Sequence, residues 1–161
     1  TDEGYATGIN TDEDILKIAV VERHNYTGHI GIGYIKGYGL KSGAVATSIS
    51  HDSHNIIVVG TNDEDMAAAV NHIAENGGGI TVFDGGKCIG DVKLGIAGLM
   101  SDDPLIDVNR NLEDAKVRAF ELGVSKLIDP FMTLSFMSLP VIPKLRLTTR
   151  GVFDVESQSY V

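Results

Sequence analysis

Tryptophan is absent from this 161-residue chain, and cysteine occurs once, as Cys88. A lone cysteine cannot close a disulfide within the chain, so no internal disulfide frames the fold. Cysteine usage therefore favours a reducing compartment, here the cytoplasm. Basic residues are scarce. Thirteen Lys and Arg face 22 Asp and Glu, for a net charge of −9. Phosphate backbones are bound through clustered cations, so nucleic acid is not an expected partner. The acidic residues are scattered and read as a solvated surface. No apolar run reaches the roughly 18 residues of a membrane helix, so no membrane partner is expected either. The opening Thr1-Asp2-Glu3-Gly4 lacks the basic and apolar regions of a secretory signal. It also lacks an initiator methionine, which suggests a piece of a longer polypeptide.

Several motifs are missing too. The stretch from Gly28 to Gly43 is dense in glycine, yet it holds neither G-x-G-x-x-G nor a G-K-[ST] ending, so a phosphate loop is not supported. Its glycines instead suit a strand whose backbone is approached closely, followed by a turn. No G-x-S-x-G marks a nucleophile elbow. No H-x-H pair occurs anywhere in the chain.

Apolar residues make up 43% of the chain, enough for a buried core in one globular domain. Residues 1–12 read as a flexible lead-in and 13–161 as the folded domain. Ile15–Glu22 and Ala44–Ile49 read as strands, and the wholly apolar Ile56–Gly60 as a central strand covered on both faces. Thr61 with Glu64 three residues on reads as a capping box for a helix that buries Met66, Val70, Ile73 and Ala74 and stops at Gly77-Gly78-Gly79. Ile80–Phe83 and Cys88–Leu94 form a hairpin around Asp84-Gly85-Gly86-Lys87. Asp103-Pro104 opens a helical segment, and Val108, Leu112, Ala115, Ala119 and Leu122 mark a second helical face. Leu134–Leu139 reads as a last strand, and a polar tail follows from Arg146. The expected architecture is a layered α/β domain, α+β-like, with a mixed sheet and two main helices, and not a TIM barrel.

The densest polar cluster is His51-Asp52-Ser53-His54-Asn55, set between two apolar strands. His51, Asp52 and His54 offer imidazole and carboxylate groups suited to a divalent metal. With Asn55 they can instead hydrogen-bond a purine-like ligand, or orient metal ligands supplied by another domain. The simplest alternative is a polar turn that ties down its own backbone. Glu22, Arg23 and His24 form a second polar group at a strand end, suited to supporting such a site or to an interface, with surface charge as the default. Lys87 can lower the Cys88 thiol pKa, but the apolar strand pattern places Cys88 in the core as an inert residue.

Four segments resemble a known family. Ser50-His51-Asp52-Ser53-His54-Asn55-Ile56-Ile57-Val58-Val59-Gly60, Gly98-Leu99-Met100-Ser101, and Asp129-Pro130-Phe131-Met132-Thr133-Leu134-Ser135-Phe136 continuing into Leu139-Pro140-Val141-Ile142-Pro143 are similar to hallmark runs of adenine deaminases. Lys17-Ile18-Ala19-Val20-Val21-Glu22-Arg23-His24 resembles the opening of that family's C-terminal domain. The resemblance implies membership of the amidohydrolase superfamily and a hydrolase of purine salvage that converts adenine to hypoxanthine and ammonia. It implies a divalent metal, manganese or iron, held mainly by an N-terminal (β/α)₈ barrel of the same chain, and a homo-oligomer. The H-x-H metal motif of that family belongs to the barrel, so no catalytic residue carries over to this chain. The isolated piece is expected to be inactive. A stand-alone small-ligand binding module and an oligomerisation domain are the competing readings.

Overall fold

The computed structural model describes residues 8–161. Of the expected lead-in, residues 1–7 lie outside the described residues. Asn10 and Ile15 exchange both backbone hydrogen bonds and close a tight turn ahead of the first strand.

The main sheet has six strands: β1 (Ile15–Val21), β2 (Ile30–Lys36), β3 (Ala44–Thr47), β4 (Ile56–Gly60), β5 (Gly79–Asp84) and β6 (Lys87–Lys93), in the order β2-β1-β4-β3-β5-β6. Helix α1 (Asp63–Glu75) follows β4, α2 (Leu105–Glu121) follows β6, and α3 (Pro130–Met137) comes next. A small second sheet of β7 (Leu145–Thr148), β8 (Gly151–Asp154) and β9 (Ser159–Tyr160) ends the chain.

The layered α/β class holds. Strand pairing, expected to be mixed, is antiparallel at every ladder among the described residues. β4 and β5 run in the same direction, joined by a crossover through α1, but β3 lies between them and pairs antiparallel with both.

Strand alternation divides the core in two. Leu16, Ile18, Val20, Val45, Ile57, Val59, Ile80 and Val82 face α2 and α3, meeting Ala115, Ala119, Phe131 and Leu134. Ala19, Ala44, Ala46, Ile56, Val58 and Phe83 face α1, meeting Met66, Ala69 and Ile73. The α1 face is paved with alanines and with Gly60, whose missing side chain makes room for Met66. Small residues let that helix lie close to the sheet. β4 is buried along its whole length, as its apolar run predicts.

The glycine-dense strand behaves as expected. A side chain on Gly31 would strike the Thr148 carbonyl, and Gly33 faces Leu147 and Val152. The second sheet therefore packs directly on the backbone of β2. The opposite side of β2 leaves Ile30, Ile32 and Tyr34 exposed.

Three local readings are corrected. The α1 cap is Asn62, not Thr61: its side-chain oxygen accepts from the Asp65 amide at 2.8 Å, and its amide donates to the Asp65 carboxylate. Thr61 instead donates to the Gly43 carbonyl at 3.2 Å. Ala74 is exposed, and Ala69 takes its place on the buried face. The segment read as a last strand is α3, started by Asp129, whose carboxylate accepts from the Phe131 and Met132 amides, with Pro130 in the first turn. The polar tail holds the three strands of the second sheet.

Candidate functional site

Antiparallel topology brings the β1–β2, β3–β4, α1–β5 and β6–α2 connections to one end of the main sheet. Arg23 ties them together. Its Nε donates to the His54 carbonyl at 2.5 Å and one terminal nitrogen to the Ala97 carbonyl at 2.6 Å. The other lies 3.4 Å from the Gly77 carbonyl. Its amide reaches the Asn55 side-chain oxygen at 3.4 Å. Among the described residues Arg23 has no carboxylate partner; it satisfies main-chain acceptors of three loops. Partial burial lowers its pKa.

Glu22 and His24 serve the same end. The Glu22 carboxylate accepts from the amides of His24 (2.5 Å), Asn25 (2.7 Å) and Thr27 (3.1 Å) and from the Thr27 hydroxyl. Desolvation raises its pKa, but these hydrogen bonds outweigh it and hold the group at about 2. His24 Nε2 lies 2.7 Å from the Ser53 carbonyl, which makes that nitrogen the donor.

The 51–55 segment is gripped from its other side by the end of α3. The His51 ring stacks on Phe136, with centroids 5.0 Å apart. The His51 amide donates to the Ser135 carbonyl at 3.1 Å, and the Ser138 hydroxyl donates to the His51 carbonyl at 3.2 Å. The buried hydroxyls of Ser50 and Ser138 bond to each other. His54 takes a positive φ of 49°, donates its amide to the Ser50 carbonyl, and leaves a buried Nδ1 without a partner among the described residues. Asn55 is buried and Asp52 exposed. Asp52, Ser53 and Asn55, with Val20, Ser138 and Thr148, line an open pocket of about 360 Å³.

The structure thus brings Glu22, Arg23 and His24 together with His51–Asn55, which lie about thirty positions further on. It does not bring His51, Asp52 and His54 together as metal ligands. Among the described residues, the one group of three such side chains close enough to share an ion is His72, Cys88 and Asp91. The reading of Cys88 as a buried core residue is overturned: it is exposed. Desolvation is the main influence raising its thiol pKa, and the Asp91 charge adds to it, so Lys87 does not activate it. Ser138, Phe136, Ala97 and Gly98 escaped sequence reasoning. Gly98 and Phe136 carried one signal, a place in runs resembling the family; Ala97 and Ser138 carried none.

Fold and site define a layered α/β domain in which three loops and a helix end hold a polar, histidine-bearing turn. The chain belongs to the adenine deaminase C-terminal domain family, which matches residues 1–159. It is 52% identical over 159 residues to adenine deaminase 2 of Carboxydothermus hydrogenoformans, covering 99% of this chain and 28% of that protein. It is 51% identical over 150 residues to the adenine deaminase of Bacillus licheniformis, covering 93% and 26%. Against the adenine deaminase of Bacillus subtilis it is 52% identical over 152 residues, covering 94% and 26%. The chain spans about a quarter of the length of these curated relatives.

Proposed function

We propose that this chain is the C-terminal domain of a metal-dependent adenine deaminase of the amidohydrolase superfamily, an enzyme of purine salvage in the cytoplasm that hydrolyses adenine to hypoxanthine and ammonia. The observation that carries the reading is about 50% identity over nearly the whole chain to three proteins of that name. No helix among the described residues is long and apolar enough to cross a membrane.

The divalent metal that such an enzyme needs, manganese or iron, does not fit residues 51–55. His51 is turned onto Phe136 and Asp52 faces solvent, so no ligand set converges there. The metal and the activation of water are assigned to an N-terminal barrel of the longer polypeptide. Within this chain, residues 13–161 form the domain. His51, Asp52, His54 and Asn55 make a preformed edge facing the substrate pocket, and Glu22, Arg23 and His24 hold that edge in place. Rigid support of this kind suits a site wall. The unpartnered Nδ1 of His54 is a group that a ligand or a neighbouring domain can satisfy.

The exposed face of Ile30, Ile32 and Tyr34 is the surface proposed to meet the barrel or a second subunit. The test is adenine turnover by the longer polypeptide carrying His51→Ala and His54→Ala. A loss of turnover with metal content and folding intact is expected. Unaltered turnover would remove the 51–55 segment from the pocket, and a full-length protein without adenine hydrolysis would remove the whole reading.

A further inference from the structure

β6 runs along an outer edge of the main sheet. Residues three apart in a regular strand face opposite sides. Here the register shifts between Val82 and Phe83, so that Gly90 pairs with Val82 and Cys88 with Phe83. Ile89 is the extra residue of a β-bulge, and Cys88 and Asp91 come to share the α1 side.

There they meet His72, in the last turn of α1. Its Nε2 lies 3.1 Å from an Asp91 carboxylate oxygen and 4.0 Å from the Cys88 sulfur. All three ligand atoms lie within 4.8 Å of one another. The Phe83 ring stands edge-on to the imidazole at 5.6 Å and restricts its rotation. The side-chain amide of Asn76, the helix C-cap, sits 3.1 Å from the same Nε2.

That nitrogen is over-subscribed. A carboxylate neighbour needs it to carry a proton, whereas the Asn76 amide nitrogen needs its lone pair, and one nitrogen cannot do both. Turning the Asn76 amide over lets Nε2 donate to both oxygens; a cation among the groups is the alternative that also engages the Cys88 sulfur. Nε2 then offers its lone pair to the ion, and the Asn76 amide, turned over, offers its oxygen. A tetrahedral zinc ion, with bonds of about 2.0–2.3 Å, separates its N, O and S ligand atoms by roughly 3.3–3.6 Å. The observed 3.1 and 4.0 Å bracket that spacing. The carbonyl end of α1 adds a favourable field for positive charge. Thiolate and imidazole donors select zinc-like ions over magnesium or calcium.

We propose that His72, Cys88 and Asp91, with Asn76 as a fourth donor, form a binding site for a thiophilic divalent cation of the zinc type, which pins the edge strand β6 to α1. The test uses the metal-stripped chain and Co²⁺, then Zn²⁺, as probes. One equivalent of Co²⁺ should produce a thiolate-to-cobalt charge-transfer band with the intense visible bands of tetrahedral cobalt, and Zn²⁺ should displace it. Zn²⁺ should also slow alkylation of Cys88 by iodoacetamide about tenfold or more. Cys88→Ser should abolish the band, and Asp91→Asn should weaken binding by about tenfold or more, while His29→Ala changes neither. No band in the parent chain, an alkylation rate indifferent to Zn²⁺, or undiminished zinc affinity in Cys88→Ser overturns the proposal. Should Cys88→Ser fail to fold by circular dichroism, the alkylation rate of the unaltered chain decides alone.

Discussion

Removing the Arg23 guanidinium should destabilise the domain more than its surface position suggests. Two of its hydrogen bonds are short, at 2.5 and 2.6 Å, and join loops 31 and 74 residues away in sequence. Hydrogen bonds from a charged donor contribute about 1.5–3 kcal/mol each. The terminal nitrogens are solvent-accessible, so water replaces part of that, and Arg23→Ala should cost about 2–3 kcal/mol. Arg23→Lys keeps the charge but places one ammonium where a fork reached several carbonyls, and should cost about half as much. Gly98 supplies a control. A side-chain carbon there would lie 2.5–2.7 Å from the guanidinium, at a residue with φ of 74°. Gly98→Ala should therefore expel Arg23 and add about 1 kcal/mol of backbone strain. In the Arg23→Ala background only the strain remains, so the two costs should fall short of additivity by at least about 1 kcal/mol. Urea unfolding followed by circular dichroism at neutral pH measures the parent and all four variants. An Arg23→Ala chain within about 0.5 kcal/mol of the parent, or strict additivity, would refute the account of Arg23 as the tie between loops.

Other expectations are briefer. Asn62→Ala should cost about 1 kcal/mol of stability and Thr61→Ala less, a ranking that urea midpoints settle. The Glu22 carboxyl should titrate by NMR near pH 2; because its folded pKa is depressed, its contribution is full above the unfolded value and is lost as pH falls through the folded one. A midpoint in the ordinary carboxylate range would show that the amide cradle does not form. Asp129, whose pKa is also lowered once the Met132 amide and Lys116 outweigh desolvation, caps α3: Asp129→Asn should melt earlier than the parent at neutral pH and approach it as acid protonates the parent's carboxyl. Gly31→Ala should loosen the second sheet, seen as faster tryptic cleavage at Arg146 and Arg150.

Much of this fold was legible where burial is one-sided or complete. The β-branched runs of β1 and β4, the Gly85-Gly86 hairpin and the Ala115/Ala119 face of α2 each carry a local periodicity that their packing preserves. α3 was misread because Leu134–Leu139 is too short and uniformly apolar to separate helix from strand by period. The cap at Asp129-Pro130 was the better signal. β7, β8 and β9 have at most four residues each, too short for an alternation such as Leu-Arg-Leu-Thr to stand out. At the site, both polar clusters were visible as residue types, but their meeting through Arg23 depends on the pairing of β1 with β4. The His72–Cys88–Asp91 group depends on a bulge that residue spacing does not reveal.

The strand order also carries a cost in time. β1 pairs with β4, Val20 opposite Ile57, and β3 pairs with β5, Ala46 opposite Thr81. Within the main sheet the β1–β2, β3–β4 and β5–β6 hairpins can zip locally; joining them, β1 to β4 and β3 to β5, must wait until more distant segments meet. On a ribosome, β1 finds its inner neighbour only after Gly60 has emerged. Until then the apolar edge of the first hairpin stands uncovered, and refolding of the domain belongs to the slower, milliseconds-to-seconds class set by non-local pairing.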